Sequence, residues 1–238
     1  MRCLLFVVVL VLSGCSFVDN NTDTSHSSGY QGQVKQEFSA QPYKQWQRSG
    51  DHVLWVDRSH STIIISVFKA GTLARIGHDH VVVVHDLKGA IDESKGIGDF
   101  SFLLTNMAVD EPYYRQLMHL PPGISKSARE GTRNNMLNKV LFADQYPVVT
   151  LHAQTFKDNP GYVGLTINLH GVTQKKIIAY QKINQYGRIH IKGETVLTQT
   201  QFGIKPFSVL SGALQVKNQI NIQFNIEILE QTINNTIY

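Results

Sequence analysis

Histidine is the residue type in this sequence that is best suited to metal binding and hydrogen bonding, and two histidines lie two positions apart. His78 and His80 flank Asp79, just before a run of four valines. Residues two apart on a β-strand project from the same face, so the spacing predicts that these two imidazoles share a face. Such a pair indicates either part of a metal site or polar groups that hydrogen-bond a ligand, and we favour the second interpretation.

A metal site built on this pair needs further ligands from elsewhere in the chain. A structural zinc site has about four protein ligands and a catalytic one about three. Histidines on neighbouring predicted strands could supply them: His152, His170 or His190. Nothing in the local sequence requires them to converge, so the metal site remains an alternative.

Catalytic motifs are weak throughout the chain. The segment 208–212 contains serines, but no glycine precedes them at the spacing of a nucleophile elbow. Gly96-Ile97-Gly98 has neither a third glycine nor a lysine, so it does not indicate a phosphate-binding loop. We therefore predict a protein that is not an enzyme and that holds no cofactor.

The composition is that of a globular domain. Of 238 residues, 42% are hydrophobic and 17% charged, which allows one domain of average or larger size. The formal charge of +4 is spread thinly, and the longest basic run is Lys175-Lys176. Nucleic-acid binding is typical of clustered basic residues, so we predict no nucleic-acid partner.

The first fifteen residues resemble the signal of bacterial lipoproteins. A basic start precedes an apolar run at 3–12, which is shorter than the roughly 20 residues that span a bilayer. Leu12-Ser13-Gly14-Cys15 then supplies small residues before a cysteine. The resemblance implies removal of residues 1–14 and lipidation of Cys15. An ordinary secretory signal with an incidental cysteine is the alternative.

The same resemblance implies a subcellular location. The residue after the cysteine is Ser16 rather than aspartate, a pattern of lipoproteins sorted to the outer membrane. We therefore expect a lipid anchor at the periplasmic face of that membrane, where several acyl chains hold a protein durably. Because Cys3 is removed with the signal and Cys15 is acylated, no disulfide is expected.

The remaining chain divides by composition into three parts. Residues 15–50 are polar and are predicted to be a flexible tether, although Tyr43 and Trp46 could dock on the domain. Residues 51–230 form the folded domain, and residues 231–238 a tail.

Alternating apolar residues dominate the domain. Residues 163–169 predict a strand with one apolar face. A second alternation with polar residues is found in the last strand, at Ile220, Ile222, Phe224, Ile226 and Ile228. Valines 81–84 predict a strand whose hairpin partner is 86–91. A helical region at 109–142 is split by Pro121-Pro122-Gly123, with Ser125 or Ser127 as a cap. We predict an all-β fold, an antiparallel β-barrel of about eight strands with one or two short helices.

Four ordered segments resemble one family. The segments similar to its signatures are Gly164-Leu165-Thr166-Ile167 with Gly171-Val172-Thr173, Arg133-Asn134 through Tyr146-Pro147, Gln201-Phe202-Gly203-Ile204, and the alternating last strand. From about residue 52 to 229 the chain resembles YceI-like domains, the lipocalin-like family of polyisoprenoid-binding periplasmic proteins. Gln201, Asn134 and the His78-Asp79-His80 run depart from its usual pattern.

The resemblance implies a lipocalin-like barrel whose lumen takes a long isoprenoid tail. The residues expected to contact that ligand are His78 and His80 at the mouth, Arg133 at a barrel end, and four phenylalanines along the lumen: Phe102, Phe142, Phe202 and Phe224. Each phenylalanine is also explained by ordinary core packing. The alternatives to lipid binding are metal binding through His78 and His80, and a ligand-free barrel that serves as an interaction scaffold.

Overall fold

A computed structural model describes residues 37–229. The predictions on the signal segment, on Cys15, on tether residues 15–36 and on the tail lie outside these residues. Within the described part, no helix has the combination of length and apolar character that crossing a membrane would require.

Strands dominate the described residues. They are, in chain order, β1 (Val53–Val56), β2 (Thr62–Val67), β3 (Lys69–Ala70), β4 (His80–Val84), β5 (Lys88–Asp92), β6 (Ile97–Leu103), β7 (Met107–Val109), β8 (Val148–Thr155), β9 (Tyr162–Leu169), β10 (Val172–Ala179), β11 (Gln181–Gln185), β12 (Arg188–Thr198), β13 (Ser208–Val209), β14 (Leu214–Val216) and β15 (Gln219–Leu229). The predicted all-β class is confirmed.

Three short helices accompany the strands: α1 (Gln41–Arg48), α2 (Pro112–Leu117) and α3 (Lys126–Asn135). A π-helical turn, Met136–Val140, continues α3. Ser125 caps α3, because its side chain accepts a hydrogen bond from the Ala128 N–H. The prolines at 121 and 122 separate α2 from α3, as the sequence predicted.

The main sheet is antiparallel and curls around one core. Its ladders run β10-β9-β8-β6-β5-β1-β15, and β15 also pairs with β12 over its whole length. The same edge of β15 that meets β1 first pairs with β2, which leads to β4 and β7. A small sheet, β13-β14-β3, lies apart from this path.

The ring of strands returns on itself through a bent strand. β10 continues past Tyr180 into β11, and β11 pairs with β12. β10 and β12 share no ladder of their own, so backbone hydrogen bonds do not close the barrel along the whole height. The result is an antiparallel barrel with one incomplete seam.

The predicted hairpin between 81–84 and 86–91 is wrong. β4 pairs with β2 and β7, whereas β5 pairs with β1 and β6. Leu87, the last of the three residues between the two strands, is fully buried. Because this apolar side chain packs into the core, the chain crosses to another part of the sheet and does not turn back.

The predicted tether is folded from residue 37 onwards, so its assignment as flexible to residue 50 is wrong there. α1 begins at Gln41, and Tyr43 retains only 1% of its exposure. Tyr43 packs on Val53 and Ala90 and contacts the ring of Trp46, with ring centroids 4.9 Å apart. The polar composition of this segment gave no sign of the contact. A few aromatic residues on one face of a helix are enough to dock the helix on the domain.

Replacing Tyr43 by phenylalanine is expected to lower the free energy of unfolding by about 1.5–3 kcal/mol, because hydrogen bonds to charged groups contribute that much. The Tyr43 hydroxyl donates to the Asp99 carboxylate at 2.8 Å. Urea denaturation of the full chain measures the change. Tyr186→Phe is the matched control, since Tyr186 is exposed, and an equal loss in both variants would contradict the docking of α1.

Candidate functional site

An elongated cavity of about 450 Å³ occupies the barrel interior. This lies within the range of roughly 300–1,000 Å³ that is typical of small-molecule sites. Its wall is built from the inward faces of most strands of the main sheet and from α3 with its π-helical turn. We call this cavity the lumen.

The apolar wall of the lumen follows from strand alternation. On β9 the inward residues are Val163, Leu165, Ile167 and Leu169, and on β15 they are Ile220, Ile222, Phe224 and Ile226. Successive side chains on a strand point to opposite faces, so an alternating sequence gives the strand one apolar and one polar face. The orientation predicted for these two strands is confirmed.

One end of the lumen carries an ion pair. Glu93 follows β5, and Lys182 lies on β11; their side chains bond each other and border the lumen with Thr155 and Tyr180. The antiparallel registers place these residues at the same end, since Thr155 pairs with Val163 at the start of β9. This end of the lumen is therefore bordered by one negative and one positive side chain.

A buried polar network lies behind His80 at the lumen. The His80 Nδ1 lies 2.6 Å from the Asp110 Oδ2, and the Arg115 Nη1 donates to the Asp110 Oδ1 at 2.6 Å. The Val81 N–H also donates to Asp110. Asp110 has no exposed surface and Arg115 only 4%, so the two charges neutralise each other inside the protein.

The network fixes the chemistry that His80 offers the lumen. Because Nδ1 faces Asp110, Nε2 is the ring nitrogen left for a molecule in the cavity. Burial alone would raise the pKa of Asp110, but hydrogen bonds from His80, Val81 and Arg115 outweigh burial and hold it below the ordinary value. His80 is thus an oriented polar group beside an apolar wall.

His78 does not share this position. β4 begins at His80, and His78 precedes the strand with an exposed side chain that does not border the lumen. The prediction that the two histidines share a strand face is therefore wrong. Among residues 37–229, the only group of three potential metal ligands is Asp57, His60 and Glu227, which includes neither.

The aromatic predictions divide. Phe102, Phe202 and Phe224 border the lumen. Phe142 does not: its side chain is 41% exposed, its backbone is left-handed, and its ring lies against His170. Placing Phe142 in the lumen was wrong: the π-helical turn ends at Val140, before Phe142 is reached.

Arg133 lies outside the lumen. Its guanidinium donates to the carbonyl oxygens of Thr105 and Met107 and so fastens α3 to the segment that enters β7. The prediction that Arg133 contacts a ligand is not supported by this placement. For His80 and the three lumen-lining phenylalanines, ligand contact stays a prediction.

Sequence reasoning missed Asp110 and Arg115. They lie 30 and 35 positions after His80, and each belongs to a polar stretch without a recognisable motif. Asp110 adopts a left-handed backbone conformation, which aspartate tolerates better than most residues. The position of an aspartate directly after the apolar strand β7 was the only available signal.

The fold and the lumen define the class of protein: an antiparallel β-barrel that encloses an elongated apolar cavity with polar groups at its ends. The YceI-like domain model matches residues 55–228. The chain therefore belongs to the YceI-like domain family, which confirms the resemblance found in the sequence.

One solved structure supports this fold, and a second is similar. A polyisoprenoid binding domain from Saccharophagus degradans, implicated in plant cell wall breakdown, has a TM-score of 0.53 at 13% identity, over 75% of this chain and 98% of that one. Burkholderia cenocepacia BcnA is similar at a TM-score of 0.49 and 10% identity, over 72% and 98%. No curated protein matches the sequence.

Proposed function

We propose that this chain is a lipoprotein of the cell envelope that binds a polyisoprenoid or another long-chain lipid in its lumen. The observation that carries the proposal is the cavity of about 450 Å³ with its apolar wall. An open interior favours a bound molecule over a barrel that serves only as a scaffold. The ligand class follows the polyisoprenoid binding of the S. degradans domain, which has the same fold.

The driving force would be burial of the ligand's hydrocarbon tail. Each methylene group transferred from water contributes about 0.8 kcal/mol, from which the cost of immobilising the ligand is subtracted. The aliphatic residues of β9 and β15 supply the surface. His80, held by Asp110, would orient a hydroxyl or similar head group through Nε2.

No catalytic step is part of the proposal. His80 is the one imidazole of the described residues that borders the lumen. No serine or cysteine borders the lumen with it among residues 37–229. Binding, orientation and exclusion of water are the functions that these residues support.

The membrane anchor is the part of the proposal that comes from sequence. Cys15 would carry the acyl chains, and the serine after it would direct the protein to the periplasmic face of the outer membrane. Cys15→Ser is expected to move the protein from the membrane fraction to the soluble fraction of lysed cells. Retention of the variant in the membrane fraction would remove this element and leave lipid binding untouched.

Native mass spectrometry tests lipid binding directly. The full chain, purified without added lipid, is expected to carry one apolar molecule that organic extraction releases. A protein whose intact mass equals that of its own chain and acyl groups, and which does not take up a polyprenol offered in detergent, would overturn the proposal.

A further inference from the structure

A second cluster of chemistry-bearing residues lies on the outer face of the barrel. Glu227 on β15 and His190 on β12 alternate with the lumen-lining Ile226 and Ile191, so their side chains project away from the lumen. Asp57 and His60 reach the same place from the loop between β1 and β2. The ligand atoms of Asp57, His60 and Glu227 lie within 4.8 Å of one another.

The loop that brings Asp57 and His60 there is firmly held. The Asp57 N–H donates to the Glu227 carbonyl at 2.8 Å, and Ser61 exchanges hydrogen bonds with the Glu227 backbone. The Asp57 Oδ1 accepts from Ser59, which leaves Oδ2 facing the His60 Nδ1 at 2.8 Å. The side chains of Asp57 and His60 are therefore held in place at the cluster by the fold itself.

An unpartnered nitrogen in the same cluster points to a missing ligand. The His190 Nδ1 is buried, has no hydrogen-bond partner and lies 3.7 Å from the Glu227 Oε2. Buried polar atoms in folded proteins are nearly always hydrogen-bonded, so an exception calls for an explanation. An ion between His190 and Glu227 would satisfy that nitrogen.

Charge and ligand type select the ion. Two buried carboxylates, Asp57 and Glu227, face one cation, the partly exposed guanidinium of Arg188. Imidazole ligands favour zinc over calcium and magnesium, and zinc takes about four ligands of this kind. Arg188 has a long side chain that can swing into solvent when a second cation enters.

We propose that Asp57, His60, His190 and Glu227 form a zinc site that ties the β1–β2 loop to β12 and β15, separate from the lumen. Zinc bonds of about 2.0–2.2 Å require small side-chain rotations that draw the ligand atoms together. Arg188 occupies the cluster when the ion is absent and competes with it. The site is independent of lipid binding.

The test is a zinc titration of the full chain after treatment with a chelator, with calorimetry and elemental analysis of the bound metal. We expect one zinc ion whose binding weakens by more than about tenfold in His60→Ala and in His190→Ala, since losing even an outer-shell partner typically costs 10- to 100-fold. Zinc at about 100 times its dissociation constant is expected to raise the melting temperature by about 5–10 °C.

Two further variants sharpen the result. His152→Ala is the matched control, because His152 also pairs with a carboxylate on the barrel, that of Asp99, and zinc binding should not change. Arg188→Gln should bind zinc more tightly than the wild type, because a competing cation is gone. His60 is half-exposed in a loop, so His60→Ala will remain folded. Unchanged binding in both histidine variants, or no binding by wild type and Arg188→Gln, would overturn the proposal.

Discussion

Replacing Arg115 by methionine is expected to lower the free energy of unfolding by about 3–5 kcal/mol, the usual cost of breaking a buried ion pair from one side. Arg115 is the positive partner of Asp110, and it also donates to the carbonyl oxygens of Asp79 and Pro121. Without it, a buried carboxylate keeps its charge and these acceptors lose their donor. Urea denaturation monitored by circular dichroism measures the loss.

Arg58→Met is the matched control, because Arg58 forms an ion pair with Asp86 at the surface. Exposed pairs contribute about 0–1 kcal/mol, so this variant should remain close to the wild type. Adding Asp110→Asn to Arg115→Met should restore part of the stability, since no net charge then stays buried. A loss below about 1 kcal/mol in Arg115→Met would show that the network is hydrated.

The same network predicts a dependence on pH. The pKa of Asp110 is lowered below its ordinary value of 3.8, so the folded state favours the ionised carboxylate. This contribution to stability is complete well above the ordinary pKa, from about pH 5 upwards, and is lost as the pH falls through the lowered pKa. In Asp110→Asn this acid-dependent loss should be smaller. Asp57, whose pKa is lowered too despite its burial, accounts for part of what remains.

Replacing Ala153 by tryptophan is expected to weaken lipid binding strongly while the barrel stays folded. Ala153 borders the lumen and pairs with Gly98 on β6 and Leu165 on β9, which border it as well. An indole there occupies the space of the ligand's tail. Losing the burial of four methylene groups costs about 3 kcal/mol, or roughly a hundredfold in affinity. Native mass spectrometry reports the bound fraction.

Ala179→Trp is the control for this experiment. Ala179 is also a strand alanine, but it lies on an exposed position of β10 outside the lumen. The same change of residue should leave the bound lipid in place. If Ala153→Trp, with native circular dichroism, still carries the lipid mass of the wild type, the ligand lies elsewhere on the protein.

The fold could be predicted wherever a strand has one apolar and one polar face. β9 and β15 have this alternation, and both place their apolar residues in the lumen. Ser125 and the proline-glycine break set the start of α3 correctly for local reasons. Phe202 and Phe224 were found because each belongs to a segment typical of the family.

The remaining features depend on contacts between distant segments. α1 docks through Tyr43 on Val53 and Ala90, and a polar stretch gives no periodic sign of that. The partner of His80 is Asp110, which belongs to another strand end and carries no motif. The neighbours of β4 are set by the packing of Leu87 and not by proximity in the chain. In each case tertiary packing decides what local sequence leaves open.

β15 joins parts of the domain that are made at very different times. Its ladders bind β12 on one edge and β1 with β2 on the other, so the first and last strands of the barrel are hydrogen-bonded to each other. The nascent chain therefore cannot complete this sheet until its C-terminal residues have emerged. Such long-range pairing slows folding, because the entropic cost of bringing the two ends of the chain together comes before the contacts that offset it.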